Sequence, residues 1–407
     1  MSSSSKILIL GGGFGGLYTA LRLSQLAWSE PPEITLIDKR DRFLFLPLLY
    51  ELLTDELQTW EIAPPFVELL SDTPVKFVQG EVQDVDIETQ SVTLSSGQQF
   101  SYERLVLAVG GETPVDLVPG TAEYALPFRS LEDAYQLKAK LQTLEKSDRD
   151  RIRVAIVGAG YSGVELACKL SDRLGERGRV RLVEMGPDIL QTAAEFNREA
   201  AKKALETRQV WLDLETTVAE ISSETLTLNY KSQKDELPVD LVLWTVGNRI
   251  PHWVTGLPLP HTAQGQLEIT PELQVKEHSE LYALGDLAYC QDATGQQVAS
   301  TAQSALQQAD YCAWNLWGSL CDRPLLPFRY QHLGEMLSLG VDNATLTGLG
   351  LKLDGPFGYL ARRLTYLYRL PTLDHQLRVG ISWLTTPLTQ WLQSGDVSRD
   401  SADGRTS

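Results

Sequence analysis

Two hexapeptides carry glycines at the spacing that phosphate recognition needs. Gly11-Gly12-Gly13-Phe14-Gly15-Gly16 follows the apolar run Lys6–Leu10, and Gly158-Ala159-Gly160-Tyr161-Ser162-Gly163 follows Ile152–Val157. In each, the first glycine permits a tight strand-to-helix turn, the third lets a pyrophosphate approach the backbone, and the last lets helix and strand pack closely. The helix start then offers free N–H groups and the positive end of its dipole to a phosphate. An acid closes each unit: Asp38 lies 27 positions after Gly11, and Glu184 lies 26 after Gly158. At the end of a second strand such a carboxylate accepts hydrogen bonds from a ribose diol. One glycine pattern alone is weak evidence. Strand, glycines and acid, repeated in one chain, indicate two dinucleotide sites. Glu184 favours the free 2′-hydroxyl of NADH over the 2′-phosphate of NADPH, while the nearby Arg179 and Arg181 keep NADPH open.

The elements that must position these loops are legible around them. Lys6–Leu10 and Ile34–Asp38 flank an amphipathic stretch reaching about Leu26, a βαβ unit. Short alternating segments from Val75 to Leu107 read as a β-meander, and Leu131–Lys146 reads as a helix. The second βαβ unit runs from Ile152 to Glu184. Strands are predicted at Val239–Val246 and Leu281–Leu284, and a long helix from Val298 to about Leu316. The fold class is α/β, with two Rossmann-like units. At 407 residues, two or three domains are expected. The divisions predicted are 1–115 and 281–330 for one nucleotide unit, 116–280 for the other, 331–393 for a C-terminal region and 394–407 for a polar, disordered tail.

A net charge of -17 argues against sequence-independent binding of nucleic acid. Cys168, Cys290, Cys312 and Cys321 form no C-x-x-C pair and no zinc-like cluster, so no metal site is implied and a reducing, intracellular compartment is expected.

Three further segments carry a resemblance. Ala283-Leu284-Gly285-Asp286 runs from a strand into a Gly-Asp turn, and Leu105–Gly110 and Leu243–Gly247 are strand–glycine crossovers. In this order they resemble flavoproteins of the two-dinucleotide-binding-domain, glutathione-reductase-like class. The resemblance implies FAD on the first site, with Asp286 at its ribityl and phosphate region, and NADH or NADPH on the second. It also implies roles at the cofactors for Phe14, Lys39, Val82, Gly110 and Gly247. Disulfide reductases of that class carry a cysteine pair soon after the first acid, but Asp41–Thr54 contains none, which excludes dithiol chemistry there.

Leu36–Tyr50 (LIDKRDRFLFLPLLY) and Ala302–Gln308 (AQSALQQ) resemble type II NAD(P)H:quinone oxidoreductases. The resemblance spans about residues 6–392 and is closest to the cyanobacterial and plastid subgroup, whose implied role is reduction of demethylphylloquinone in phylloquinone synthesis. It implies hydride transfer from NAD(P)H to FAD, followed by delivery of two electrons to a membrane quinone. Gln303 and Gln307 share a helix face, and their amides could donate to a quinone carbonyl without bringing a charge into an apolar tunnel. Glu165 is implied to face the nicotinamide–flavin junction. Two other readings stay open: a soluble NAD(P)H oxidase or ferredoxin-type reductase, and a non-enzymatic flavoprotein that senses NAD(P)H.

No run of about 18 apolar residues occurs, so no spanning helix is expected. Phe357, Leu360, Leu364 and Leu367 instead recur at helical spacing, with Arg362 and Arg369 directed away from them, and Trp383, Leu384, Leu388, Trp391 and Leu392 continue the pattern. Residues 351–392 carry a net charge of +3, leaving -20 on the rest. A basic, aromatic amphipathic helix on an acidic protein reads as an interfacial anchor on a lipid bilayer. The location expected is peripheral, on the cytoplasmic face of a thylakoid or plasma membrane. The alternative is a helix that covers the core or pairs two subunits in a homodimer.

Overall fold

The computed structural model of the chain describes residues 5–231 and 233–385. The first βαβ unit forms around Lys6–Leu10, which lies between Glu33–Asp38 and Arg104–Leu107 in parallel register. Lys76–Gln79 completes one side of this six-stranded sheet, and His278–Ala283 with the antiparallel Gln274–Val275 completes the other. Ile7 to Leu10 are all buried, as a parallel strand covered on both faces requires. Helix Phe14–Ser24 buries Leu17, Ala20, Leu21 and Leu23 and packs against helix Ala302–Leu320.

The second unit repeats this plan. Ile152–Val157 is central, between Gly178–Val183 and Leu241–Trp244, with Trp211–Asp213 and Ala125–Pro127 outermost, all parallel. Each parallel sheet is accompanied by a three-stranded antiparallel one, Val82–Ser101 beside the first and Thr216–Pro238 beside the second. The meander predicted over Val75–Leu107 therefore divides. Its middle strands pair antiparallel, whereas Lys76–Gln79 and Arg104–Leu107 join the parallel sheet. Alternation reports a half-buried strand but not its partner.

Beyond Pro327 the structure adds an antiparallel sheet that the sequence reading did not anticipate: Glu335–Ser338, Ala344–Gly348 and Leu351–Leu353. Helix Gly355–Arg369 follows, then a helical stretch over 373–385. The outward stripe on the first helix is Phe357, Leu360, Leu364 and Tyr368. Leu367, predicted in that stripe, packs inward beside Gly380 instead. Arg362 does point away from the stripe, but into the protein rather than into water. Leu388, Trp391, Leu392 and the polar tail lie outside the described residues.

Three parts of the chain meet where Arg362 is buried. It pairs with Glu51 of the turn Leu46–Leu52, and both residues are 0% exposed. Beside them Lys169, from helix Tyr161–Leu174, pairs with Glu56, whose carboxylate also accepts from Tyr359 of the C-terminal helix. Charges withdrawn this far from water are tolerated only when paired.

The glycines of the first loop separate by what surrounds them. A Cβ on Gly16 would stand 1.8 Å from the Gly11 carbonyl oxygen, whereas one on Gly13 would meet nothing within 4 Å. Gly16→Ala should therefore destabilise the apoprotein by about 1–3 kcal/mol in denaturant titration, through overpacking. Gly13→Ala should leave that midpoint unchanged, and the bulkier Gly13→Val should lower flavin content alone. Equal destabilisation by Gly13→Ala and Gly16→Ala would refute this division.

Candidate functional site

Each fingerprint folds into the same loop. Gly11 and Gly158 adopt φ of +99° and +100°, a region that L side chains rarely enter. Their N–H groups donate to the Ile37 and Val183 carbonyls, both at 2.8 Å. The acids then brace the loops. Asp38 accepts from Gly12 N–H at 2.6 Å and Arg40 N–H at 2.8 Å, while Glu184 accepts from Ala159 and Gly186 N–H, both at 2.8 Å. Neither helix start, at Gly13 or Gly160, carries a side-chain cap. The first-turn N–H groups are left for an anion, as a pyrophosphate site requires.

The first loop opens on a cleft of about 530 Å³. Gly11, Gly13, Phe14, Gly15, Asp38, Lys39, Val82, Gly110 and Asp286 all line it, so most of the residues predicted for the flavin come together. Gly16 does not, because it packs beneath Gly11. Gly247 does not line it either and packs against Pro114. The open space at Gly13, the bare helix start and the braced Asp38 fit the pyrophosphate and ribose of FAD. Leu44, Leu46 and Pro47 give the cleft an apolar wall, and Ala302 and Ala305 also line it. None of the four cysteines lines the cleft.

Two residues absent from the sequence-based set take part here. Arg129 lines the cleft and pairs with Asp286 at 2.6 Å. It immediately precedes Ser130, which caps helix Leu131–Glu145 in a capping box with Asp133, a pattern that marks a helix start in sequence. Gln308 is 2% exposed and accepts from Gly285 N–H at 2.8 Å, fixing the Gly-Asp turn.

At the second loop Gly163 packs on the Gly158 carbonyl as Gly16 does on Gly11, and a Cβ on Gly160 would meet nothing within 4 Å. Ser162 accepts from Tyr50 hydroxyl at 2.9 Å, a bond from the first nucleotide unit to the second. Both arginines near Glu184 are committed elsewhere. Arg181 donates to both oxygens of Asp213 at 2.7 Å, and Arg179 donates to the Glu176 and Gly178 carbonyls.

Gln303 and Gln307 do share one face of helix Ala302–Leu320, but neither amide is free. Gln303 accepts from Tyr330 hydroxyl at 2.8 Å and Leu333 N–H at 3.1 Å, and donates to Gly334 carbonyl at 3.2 Å. Gln307 exchanges two bonds with the Gln331 backbone, at 2.8 and 3.0 Å. Both amides thus fasten the 330–334 segment to the helix, and neither lines the cleft.

Glu165 is 7% exposed, and its partners come from the C-terminal region. It accepts from Ser338 N–H at 2.8 Å and lies 3.8 Å from Arg362. Burial pushes its carboxyl up to about 7, against the opposing pull of Arg362 and the Ser338 N–H. Two buried carboxylates share one guanidinium here. Glu51 holds the closer contact to it.

Fold and loops together define a two-nucleotide redox flavoprotein, and residues 5–309 match the pyridine nucleotide-disulphide oxidoreductase family. The chain belongs to that family, in its type II NAD(P)H:quinone oxidoreductase branch. It is 56% identical to a Synechocystis demethylphylloquinone reductase, over 96% of this chain and 98% of the relative. It is 42% identical to the alternative NAD(P)H-ubiquinone oxidoreductase C1 of Arabidopsis thaliana, over 93% and 80%. The structure of NDH2 from Plasmodium falciparum in complex with NADH superposes with a TM-score of 0.83 at 18% identity, over 94% of this chain and 98% of that one.

The proton on Glu165 makes stability depend on pH. Its folded value, about 7, lies above the 4.5 of a free glutamate, so the folded state binds this proton more tightly than the unfolded chain. The resulting stabilisation is complete below pH 4.5 and lost as pH rises to 7, on the order of 3 kcal/mol. Glu165→Gln lacks this slope. Its melting temperature relative to the parent should climb between pH 4.5 and 7 and then level off. A constant difference across that window would show that Glu165 is ionised throughout.

Proposed function

We propose that the chain is an FAD-dependent NADH:quinone oxidoreductase that works at a membrane surface on a demethylphylloquinone-type naphthoquinone. The carrying observation is a pair of matching phosphate loops, one of which opens on an apolar-walled cleft without a thiol. FAD, when bound, supplies the two-electron carrier between the nucleotide and the quinone. The quinone identity is supported by the 56% identical relative, which is a demethylphylloquinone reductase.

The chain's own residues bind and orient. Gly11, Gly13, Gly15 and Gly16 shape the first loop, Asp38 takes the ribose, and Asp286 with Arg129 closes the cleft near Gly110, Val82 and Lys39. Gly158, Gly160, Ser162 and Gly163 shape the second loop, with Gly247 supporting it from the crossover. Glu184 takes the diol of NADH, and Glu165 underlies the nicotinamide side. Leu44, Leu46 and Pro47 exclude water where a quinone ring would lie, and Gln303 and Gln307 hold the adjoining 330–334 segment. The units proposed are 1–115 with 281–330, then 116–280 and 331–393. Strands Gln274–Val275 and His278–Ala283, at the return into the first unit, pair with the first sheet.

Membrane docking is supported by Phe357, Leu360, Leu364 and Tyr368, continued by Leu373, Leu377, Ile381 and Leu384, each at least 55% exposed. Among the described residues, no helix is long and apolar enough to cross a membrane. The enzyme would sit on the cytoplasmic face of a thylakoid or plasma membrane. Leu360→Glu and Leu364→Glu should each weaken sedimentation with anionic vesicles by about ten- to a hundredfold, since burying a leucine contributes about 1.5–3 kcal/mol. Flavin content should not change. Vesicle binding that survives while a homodimer dissociates would identify the stripe as a subunit contact.

Reduction by NADH followed by stopped-flow reoxidation tests the activity itself: naphthoquinone should outpace both oxygen and ferredoxin. Glu184→Gln removes a repulsion of about 1–3 kcal/mol toward the 2′-phosphate and should raise the NADPH/NADH ratio of kcat/KM accordingly. An unchanged ratio would remove Glu184 from the specificity site.

A further inference from the structure

We propose that Arg362 is a positioning residue for the quinone-side reaction: from the C-terminal helix it fixes the Pro47 carbonyl, and with it the apolar wall of the cleft. The proposal rests on the quinone oxidoreductase reading above and names a residue outside both nucleotide sites. One guanidinium nitrogen donates to Pro47 carbonyl at 2.7 Å, and the other to the Glu51 carboxylate. Pro47 and Glu51 lie near opposite ends of the turn Leu46–Leu52, so a single side chain grips both ends of it.

That turn needs an outside hold. It is a 3-10 helix of seven residues with no side-chain cap, and 3-10 geometry supports only short runs by itself. The contact is also poorly explained as a device for stability alone. Arg362 Nε and one Glu51 oxygen are buried without a hydrogen-bond partner, and a buried pair is commonly replaceable by apolar residues without loss. What the pair does accomplish is geometric. Pro47 lines the cleft beside Leu44 and Leu46, and Arg362 is its link to the helix that carries Phe357, Leu360 and Leu364 on its outer face. The other groups facing the guanidinium are Glu165 at 3.8 Å and the Tyr366 ring at 4.8 Å.

Arg362→Lys separates charge from position. Lysine keeps a cation for Glu51 and Glu165 but lacks the planar fork that reaches the Pro47 carbonyl as well. The holoenzyme variant should retain FAD, and its reduction by NADH should change less than about twofold. Its KM for a soluble naphthoquinone should rise about tenfold with little change in kcat, because the wall is displaced rather than the chemistry altered. Should Arg362→Lys fail to fold, the double variant Arg362→Met with Glu51→Leu leaves no unpaired charge in the pair and should show the same rise. A parental quinone KM in whichever of the two folds overturns the proposal, as does an equal fall in flavin reduction and reoxidation. If the parent's reduced flavin ignores quinones, the functional reading fails separately. Arg362 is then judged by the visible flavin band, which Arg362→Lys should shift and which stays parental if Pro47 does not depend on it.

Discussion

Everything in this molecule depends on two helix starts that must stay bare. An uncapped helix leaves N–H groups unsatisfied, which destabilises the empty protein until an anion arrives. The chain limits that penalty by bracing the loop from behind. Asp38 and Glu184 each hold two backbone N–H groups, so the loops are shaped before a nucleotide enters. Positions of Gly16 and Gly163 follow from the same demand, since each lies against the carbonyl of its loop's first glycine. The loops also fix the sheets. Lys6–Leu10 and Ile152–Val157 are interior strands because a loop leaving an interior strand has neighbours on both sides to form a crevice.

A second constraint joins the two halves. Glu51 and Glu56 come from the segment after Asp38, Glu165 and Lys169 from the second fingerprint helix, and Arg362 and Tyr359 from the C-terminal helix. Around Arg362, two acids compete for one cation. The nearer, Glu51, takes the short contact, and desolvation raises the carboxyl of Glu165 to about 7. Rearranging any one of these segments would strand a buried charge, so they are held as a unit. The Tyr50–Ser162 bond at 2.9 Å adds a neutral link between the same halves.

What the sequence made legible was local. The phosphate loops, their acids and the strands before them are encoded within about thirty residues, where glycine spacing and apolar runs have one physical meaning. Gln303 and Gln307 illustrate the limit. Their shared helix face was readable, but what that face meets is the backbone of residues 330–334, and no local pattern specifies that partner. Short strands such as Leu351–Leu353 lacked enough alternation to stand out. Arg362 failed for a different reason. An arginine opposite an apolar stripe ordinarily faces water, and here Glu51 and the Pro47 carbonyl, 311 and 315 positions away, turn it inward.

That inversion bears on how an acidic protein could settle on a lipid surface. The C-terminal helix places its most buried charge inside and its largest apolar side chains outside, the reverse of a helix that covers a core. Four exposed residues on it and four on the 373–385 stretch would each gain about 1.5–3 kcal/mol on burial in an interface, enough for peripheral attachment without a span. The charge on the rest of the chain, -20, would oppose approach to anionic lipid if it acted at long range. At physiological salt, charges are screened beyond about 8 Å, so the net +3 of residues 351–392 would govern such a contact. The helix that carries this exposed apolar face grips Pro47 at the cleft from its opposite side, so one element would link the proposed attachment to the site.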